Sequence, residues 1–312
     1  MEETRHARIA ATLARLDGSV LQGKQEALRL AMVALLTGGH LLIEDLPGLG
    51  KTTLALALAG CTGLSLGRVQ CTSDLLPSDI TGLSIYRRDE GQFTFLPGPI
   101  FNHIVLVDEI NRAMPRTQSA LLEAMEERRV TVEGVTHELP QPFLVIATQN
   151  PEEQTGTYPL PESQLDRFLL CTGLGYPAEE LERRIIAGGG VRERLEGLAR
   201  TLSGETISAA RAEAAAVQLS ERVVEYLHRF VLATRQHPEV LTGLSTRAAI
   251  GLAAAARAAA YLAGRDFVAP EDVRDLAVAC GAHRLQLRPE YDARNRKELI
   301  RSLLADIPLP LA

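Results

Sequence analysis

The run Leu46-Pro47-Gly48-Leu49-Gly50-Lys51-Thr52-Thr53 has the residue types needed to hold a chain of phosphates. Gly48 and Gly50 let the backbone turn its N–H groups inward. Lys51 can reach the β- and γ-phosphates, and the Thr52 hydroxyl can ligate Mg²⁺. An apolar stretch (40–43) precedes the run and a helix-forming stretch (54–59) follows it. Strand, glycine-rich loop and helix therefore succeed one another, and the helix start adds the positive end of its dipole. That order separates the run from a chance Gly-Lys-Thr in a surface loop. The strict G-x-x-x-x-G-K-[ST] pattern is broken only at its first position, which holds Asp45.

Asp108 and Glu109 end a second apolar run, Ile104-Val105-Leu106-Val107. A buried strand that finishes in two acids sets both carboxylates at the carboxyl edge of a sheet, where open α/β sheets bind ligands. Asp108 would hold the Mg²⁺ hydration shell, directly or through water. Glu109 could orient or deprotonate a water for attack on a γ-phosphate. A third apolar run, 144–147, leads into Thr148-Gln149-Asn150-Pro151. The Asn150 amide could bond both the γ-phosphate and the attacking water if its strand neighbours that of Asp108. An Asn before Pro is, on its own, more commonly a turn former. Arg167 lies between Asp166 and the strand-like Phe168-Leu169-Leu170, and an exposed arginine there is ordinarily solvated or ion-paired.

The elements that must position these residues follow from periodicity. Residues 4–36 read as helices with a break near Asp17-Gly18, and Val20 to Gly23 sits just before the second of them. Strand-type runs recur at 40–43, 68–71, 104–107, 143–147 and 168–172, with helices at 51–60 and 116–128 between them. Alternation of this kind predicts an α/β fold, a five-stranded parallel sheet with helices on both faces. After Gly175-Tyr176-Pro177 the pattern becomes helical throughout, so the chain divides into a core, 1–176, and an all-helical lid, 177–312. Two insertions interrupt the core. The first spans about 73–99 and is rich in Pro, Gly and aromatic residues. The second, 129–137, alternates β-branched residues around Glu133-Gly134 and reads as a β-hairpin.

At 312 residues the chain exceeds one compact core, and 46 % apolar residues suffice for two. Against 39 Asp+Glu there are 33 Lys+Arg, a net charge of −6 with no dense basic stretch, which argues against nucleic acid as the main partner. The four cysteines, Cys61, Cys71, Cys171 and Cys280, form no C-x-x-C pair and fit buried thiols in a reducing cytoplasm. The polar start of the chain does not resemble a signal peptide, and no run of about 18 apolar residues predicts a membrane span.

Taken together, 46–52, Asp108 to Ala113, Gln118 to Glu127, Ala147 to Pro151 and Leu160 to Phe168 resemble, in order and spacing, the MoxR family of AAA+ ATPases. The resemblance covers residues 15–285. It implies ATP and Mg²⁺ as ligands, with Lys51 and Thr52 in the phosphate loop and Asp108 and Glu109 as the magnesium and water-activating acids. Asn150 matches sensor 1, and Arg167 the arginine finger that reaches a neighbouring subunit. Arg247 matches sensor 2, which acts in cis or in trans depending on the clade. A cis reading has Arg247 and Lys51 facing the same phosphates across a mobile lid. Val20 and Gly23 match the segment lining the adenine. The family usually has Pro where this chain has Thr246, its phosphate loop commonly lacks the first glycine, and the run Gly188-Gly189-Gly190 is not expected in its lid.

The activity so implied is an ATP-hydrolysing, chaperone-like remodeller that matures or activates a protein complex. It would work as a ring, hexameric by the resemblance, with a partner bearing a von Willebrand factor A domain. The segment before the phosphate loop reads as core-forming helices, so clients would be gripped by the two insertions or by a separate adaptor. A DNA-directed AAA+ motor and a metal chelatase ATPase subunit are the alternatives. The charge balance and a hairpin whose only nearby cations are Arg128 and Arg129 speak against the first.

Overall fold

The computed structural model describes residues 4–89, 91–150, 156–187, 195 and 197–310. Two helices, α1 (Arg5–Ser19) and α2 (Gln25–Thr37), lead into β1 (Leu41–Glu44), α3 (Lys51–Thr62) and β2 (Leu66–Gln70). A short helix α4 (Pro77–Thr81) and a hairpin, β3 (Gly82–Arg87) with β4 (Gln92–Pro97), come next. Then follow β5 (Ile104–Asp108), α5 (Pro115–Glu127), the hairpin β6 (Arg129–Val132) and β7 (Val135–Glu138), β8 (Leu144–Gln149), α6 (Glu162–Leu165) and β9 (Leu170–Thr172).

Five of these strands form one sheet in the order β2-β5-β8-β1-β9, and every pairing in it is parallel. The predicted α/β fold and its five strands are therefore present, with strand ends within two residues of those read from the sequence. Leu41, Ile43, Ile104, Leu106, Leu144 and Ile146 face one apolar cluster, while Leu42, Val105, Val107, Val145 and Ala147 face another. Period-two alternation with apolar residues on both sides is what a sheet covered on both faces requires.

Beyond the sheet the regular elements among the described residues are mainly helices: α7 (Glu179–Ile186), α8 (Gly204–Ala215), α9 (Glu221–Gln236), α10 (Thr246–Leu262), α11 (Pro270–Gly281) and α12 (Arg296–Asp306). Two short strands, β10 (Val240–Thr242) and β11 (Gln286–Leu287), correct the expectation of helix alone. They pair only with each other, antiparallel, and do not join the five-stranded sheet. The apolar cluster on the α2 side runs without interruption from Ile9 through Leu58 to Leu304, so the first two helices share a core with the lid helices.

Two further features depart from the sequence reading. The first helix continues through Gly18 to Ser19, and the turn comes at 20–24, where Gly23 takes φ +71° and the Lys24 N–H is captured by Asp17 Oδ1 at 3.0 Å. The first insertion contains a hairpin as well as loops. The second is the predicted hairpin, turning on Glu133 (φ +49°) and Gly134 (φ +81°), a two-residue turn with both central residues left-handed. The Gly188-Gly189-Gly190 run lies outside the described residues, as does Pro151.

Candidate active site

The phosphate loop joins the carboxyl end of β1 to α3. Gly48 (φ +84°) and Gly50 (φ +96°) take the left-handed backbone that turns the loop, and Gly50 is the residue from which α3 starts. Lys51 donates from Nζ to the Asp45 carbonyl at 2.6 Å. Burial pushes its ammonium below the ordinary lysine range, and the carboxylates of Asp45, Asp108 and Glu109 pull it back. The cation is thus half-desolvated and faces the acids at the sheet edge. Thr52 and Thr53 follow in the first turn of α3, both half-buried.

Asp45, the departure from the generic loop, has a structural role. Its Oδ1 accepts the Leu46 N–H at 3.0 Å, and its Oδ2 accepts the N–H groups of Leu174 and Gly175 at 2.5 and 2.7 Å. The buried Lys24 donates Nζ to the carbonyls of the same two residues at 2.8 and 2.6 Å. Sequence reasoning missed this pair because 150 positions separate Lys24 from Leu174.

Asp108 and Glu109 lie at the same edge of the sheet. Asp108 is buried and accepts from Arg68 Nε at 2.9 Å. Glu109 has a left-handed backbone (φ +57°, ψ +50°), sparsely populated for a residue with a Cβ, and is held there by its N–H bonded to Thr148 Oγ1 at 2.9 Å. Its carboxylate takes Gln70 Nε2 at 3.3 Å and Arg112 Nε at 3.2 Å. Gln70 and Arg68 sit on β2 beside β5, a neighbourhood that register reveals and sequence does not. Since β8 pairs with β5, Val107 opposite Ala147, Asn150 follows the strand end next to Asp108.

Among the described residues no group of three or more His, Cys, Asp or Glu is placed to hold a metal. Thr52 and Asp108 offer hard oxygen donors, which suits a magnesium ion completed by phosphate oxygens and water. The four cysteines are free and buried, and burial pushes the Cys61 and Cys71 thiols up to about 12.

A cavity of about 360 Å³ opens beside the loop, walled by Val20, Leu21, Leu49 and, from α7, Leu181 and Ile185. Its size and apolar walls suit a flat heterocycle. Gly23 lies against Leu181 at the same place.

Arg167 and Arg247 are elsewhere. Arg167 Nε meets Glu126 Oε2 at 3.1 Å, and Arg247 Nη2 meets Glu126 Oε1 at 2.5 Å. Glu126 is at the end of α5, next to Met125, whose carbonyl takes Nε2 of the buried His40 at 3.2 Å. His40 immediately precedes β1, so both arginines lie at the amino edge of the sheet, opposite Lys51. Within one chain Arg247 and Lys51 therefore stand at opposite edges of the sheet. Arg247 stands in the first turn of α10, where the Ser245 hydroxyl caps Ala248 N–H at 3.0 Å and Thr246 fills the first helical position.

A sequence model of the ATPase family associated with various cellular activities (AAA) matches residues 40–170, and one of the AAA lid domain matches 232–303. The uncharacterised protein YeaC of Bacillus subtilis is 44 % identical over 94 % of this chain and 92 % of its own. Chaperone MoxR1 of Mycobacterium tuberculosis is 41 % identical over 88 % and 74 %, and Protein MoxR of Paracoccus denitrificans 32 % identical over 98 % of each. A crystal structure from Cytophaga hutchinsonii, assigned as an ATPase, superposes with a TM-score of 0.89 at 35 % identity, covering 98 % of this chain and 97 % of that one.

Proposed function

Because this chain belongs to the MoxR family of AAA+ ATPases, we propose that it hydrolyses ATP at a site shared between two copies and uses the cycle to remodel a protein client. One observation carries this reading. Lys51, Asp108 and Glu109 gather at one edge of the sheet, whereas Arg167 and Arg247 gather at the other. Each chain thus holds two halves of a phosphoryl-transfer site and can complete neither alone. Copies joined head to tail put the arginines of one against the phosphates of the next, and such heterologous contacts close into rings.

In the proposed site the loop from Pro47 to Thr53 cradles the phosphates, and Val20 and Gly23 border the base. Thr52 and Asp108 would hold Mg²⁺, which would supply positive charge to offset that of the phosphates. Glu109, tethered by Gln70 and Arg112, takes the proton of the attacking water, and Asn150 orients that water. Arg167 and Arg247 of a neighbour then offset charge on the transferring group. Residues 1–176 act as the nucleotide-binding core and 177–312 as the lid. The resemblance supports a hexamer and a partner with a von Willebrand factor A domain.

Client grip falls to the two hairpins. Tyr86, Phe93 and Leu96 on the first are exposed, and Val135 tips the second. Free buried thiols suit a reducing, cytoplasmic setting, and among the described residues no helix is long and apolar enough to cross a membrane. Turnover per subunit measured against protein concentration tests the shared site. It should fall steeply on dilution to monomer, and a rate independent of concentration would reject it.

A further inference from the structure

Glu126 is an acid in an unfavourable place. It occupies the last turn of α5, where the helix dipole presents its negative end and the turn itself holds no basic residue. Arg247 is mismatched in the opposite sense, a cation in the first turn of α10. The two meet, and Arg167 joins them on the second oxygen of the same carboxylate. Arg128 and the buried Arg284 line the same cavity of about 380 Å³. Among the described residues Asp166 is its only other acid, and it pairs with Arg284 at 2.9 Å without a hydrogen bond at Nε. Four guanidinium groups thus surround two carboxylates, an excess of positive charge suited to an incoming anion.

We propose that Glu126 is a positioning residue that stands in for a neighbour's γ-phosphate in the unassembled subunit. The proposal rests on the trans reading of Arg167 and Arg247. The carboxylate gathers two arginines from separate elements onto one anion. When the interface closes on ATP, they exchange Glu126 for phosphate oxygens. Glu126 then opposes assembly twice, through the two ion pairs that must open and through repulsion of the γ-phosphate. Assembly is made conditional on a ligand more anionic than one carboxylate, which ATP satisfies.

The test uses the full chain in a Glu109→Gln background with Mg²⁺ and ATP, assembly being followed by light scattering against protein concentration. Adding Glu126→Gln should lower the midpoint of assembly by roughly two- to thirtyfold, the range that two exposed ion pairs can contribute. Glu126→Asp, which keeps the charge, should shift it less. Arg167→Ala should raise it. If Glu126→Gln leaves the midpoint unchanged or raises it while Arg167→Ala still raises it, the stand-in role is wrong and the trans reading survives. If neither Arg167→Ala nor Arg247→Ala moves the midpoint, both are wrong. Glu126 is exposed, so the substitution should not disturb folding, and an unchanged melting curve checks this.

Discussion

Lys24 and Asp45 hold the same two residues, the lysine taking the carbonyls of Leu174 and Gly175 and the aspartate their N–H groups. Those residues join the last strand of the sheet to the segment that leads into α7. The main chain of Asp45 also receives Lys51. In the proposed site nucleotide phosphates would compete for that lysine, which couples occupancy of the loop to the residue that grips the linker.

Asp45→Gly would restore the generic phosphate-loop pattern while removing the grip. Nucleotide affinity should persist, and the amides of Leu174 and Gly175 should exchange with solvent at least tenfold faster in hydrogen-exchange measurements, since each charge-assisted bond is worth about 1.5–3 kcal/mol. Unchanged exchange at both amides would remove the clamp from the account.

Lys51→Ala should abolish ATP binding in a calorimetric titration, because the cation that meets the β- and γ-phosphates is gone. Glu109→Gln should bind ATP normally and turn over at least a hundredfold more slowly, since general-base catalysis typically contributes about 10²–10⁴-fold. Wild-type affinity in the first variant, or near-normal turnover in the second, would contradict these assignments.

The parts legible in the sequence were those encoded locally. Buried parallel strands announce themselves as continuous apolar runs, and Glu133-Gly134 between β-branched residues marks a hairpin turn. The hairpin of Gly82–Arg87 and Gln92–Pro97 was hidden because much of it is solvent-exposed on both faces and lacks a clean alternation. Phosphate-loop and acid motifs could be read because their chemistry demands particular neighbours in the chain. Gln70, Arg68, Lys24 and Glu126 act on residues 39 to 150 positions away or on more than one element, so only the folded register shows them.

Acid should destabilise the protein before its carboxylates protonate. His40 is buried, donates Nε2–H to the Met125 carbonyl and accepts the Val145 N–H at Nδ1, so burial holds its pKa down at about 4. His283 is likewise pushed down to about 3, by burial and by the neighbouring Arg284. Both values lie below the ordinary 6.5, so the unfolded chain binds protons that the folded chain refuses. Their contribution to stability is complete above pH 6.5 and erodes as pH falls toward those folded values, by about 1 kcal/mol per pH unit for each histidine. Denaturant midpoints should therefore drop between pH 7 and pH 5.5, and a flat profile would contradict the neutral buried state.

The two hairpins should behave as one unit. Phe95 of the first stacks on His137 of the second at 4.0 Å between ring centroids, with Phe101 edge-on to both. Phe95→Ala should speed hydrogen exchange across 129–138 as well as 82–97 and leave ATP affinity unchanged, aromatic contacts of this kind being worth about 0.5–1.5 kcal/mol each. Faster exchange confined to the first hairpin would show that they are independent.

The shared site is tested most directly by mixing two inactive variants. Arg167→Ala keeps Lys51, Asp108 and Glu109 but cannot supply its arginine, and Glu109→Gln keeps the arginine but cannot activate water. Each alone should be nearly inactive, since a trans arginine contributes roughly 10³–10⁵-fold in the GTPase case. In a random equal mixture about a quarter of head-to-tail interfaces join an intact Glu109 to an intact Arg167. The account predicts that ATPase activity returns on mixing, to a comparable fraction of the wild-type rate. If the two variants co-assemble and the mixture stays inactive, Arg167 does not act on its neighbour's nucleotide and the shared site is wrong.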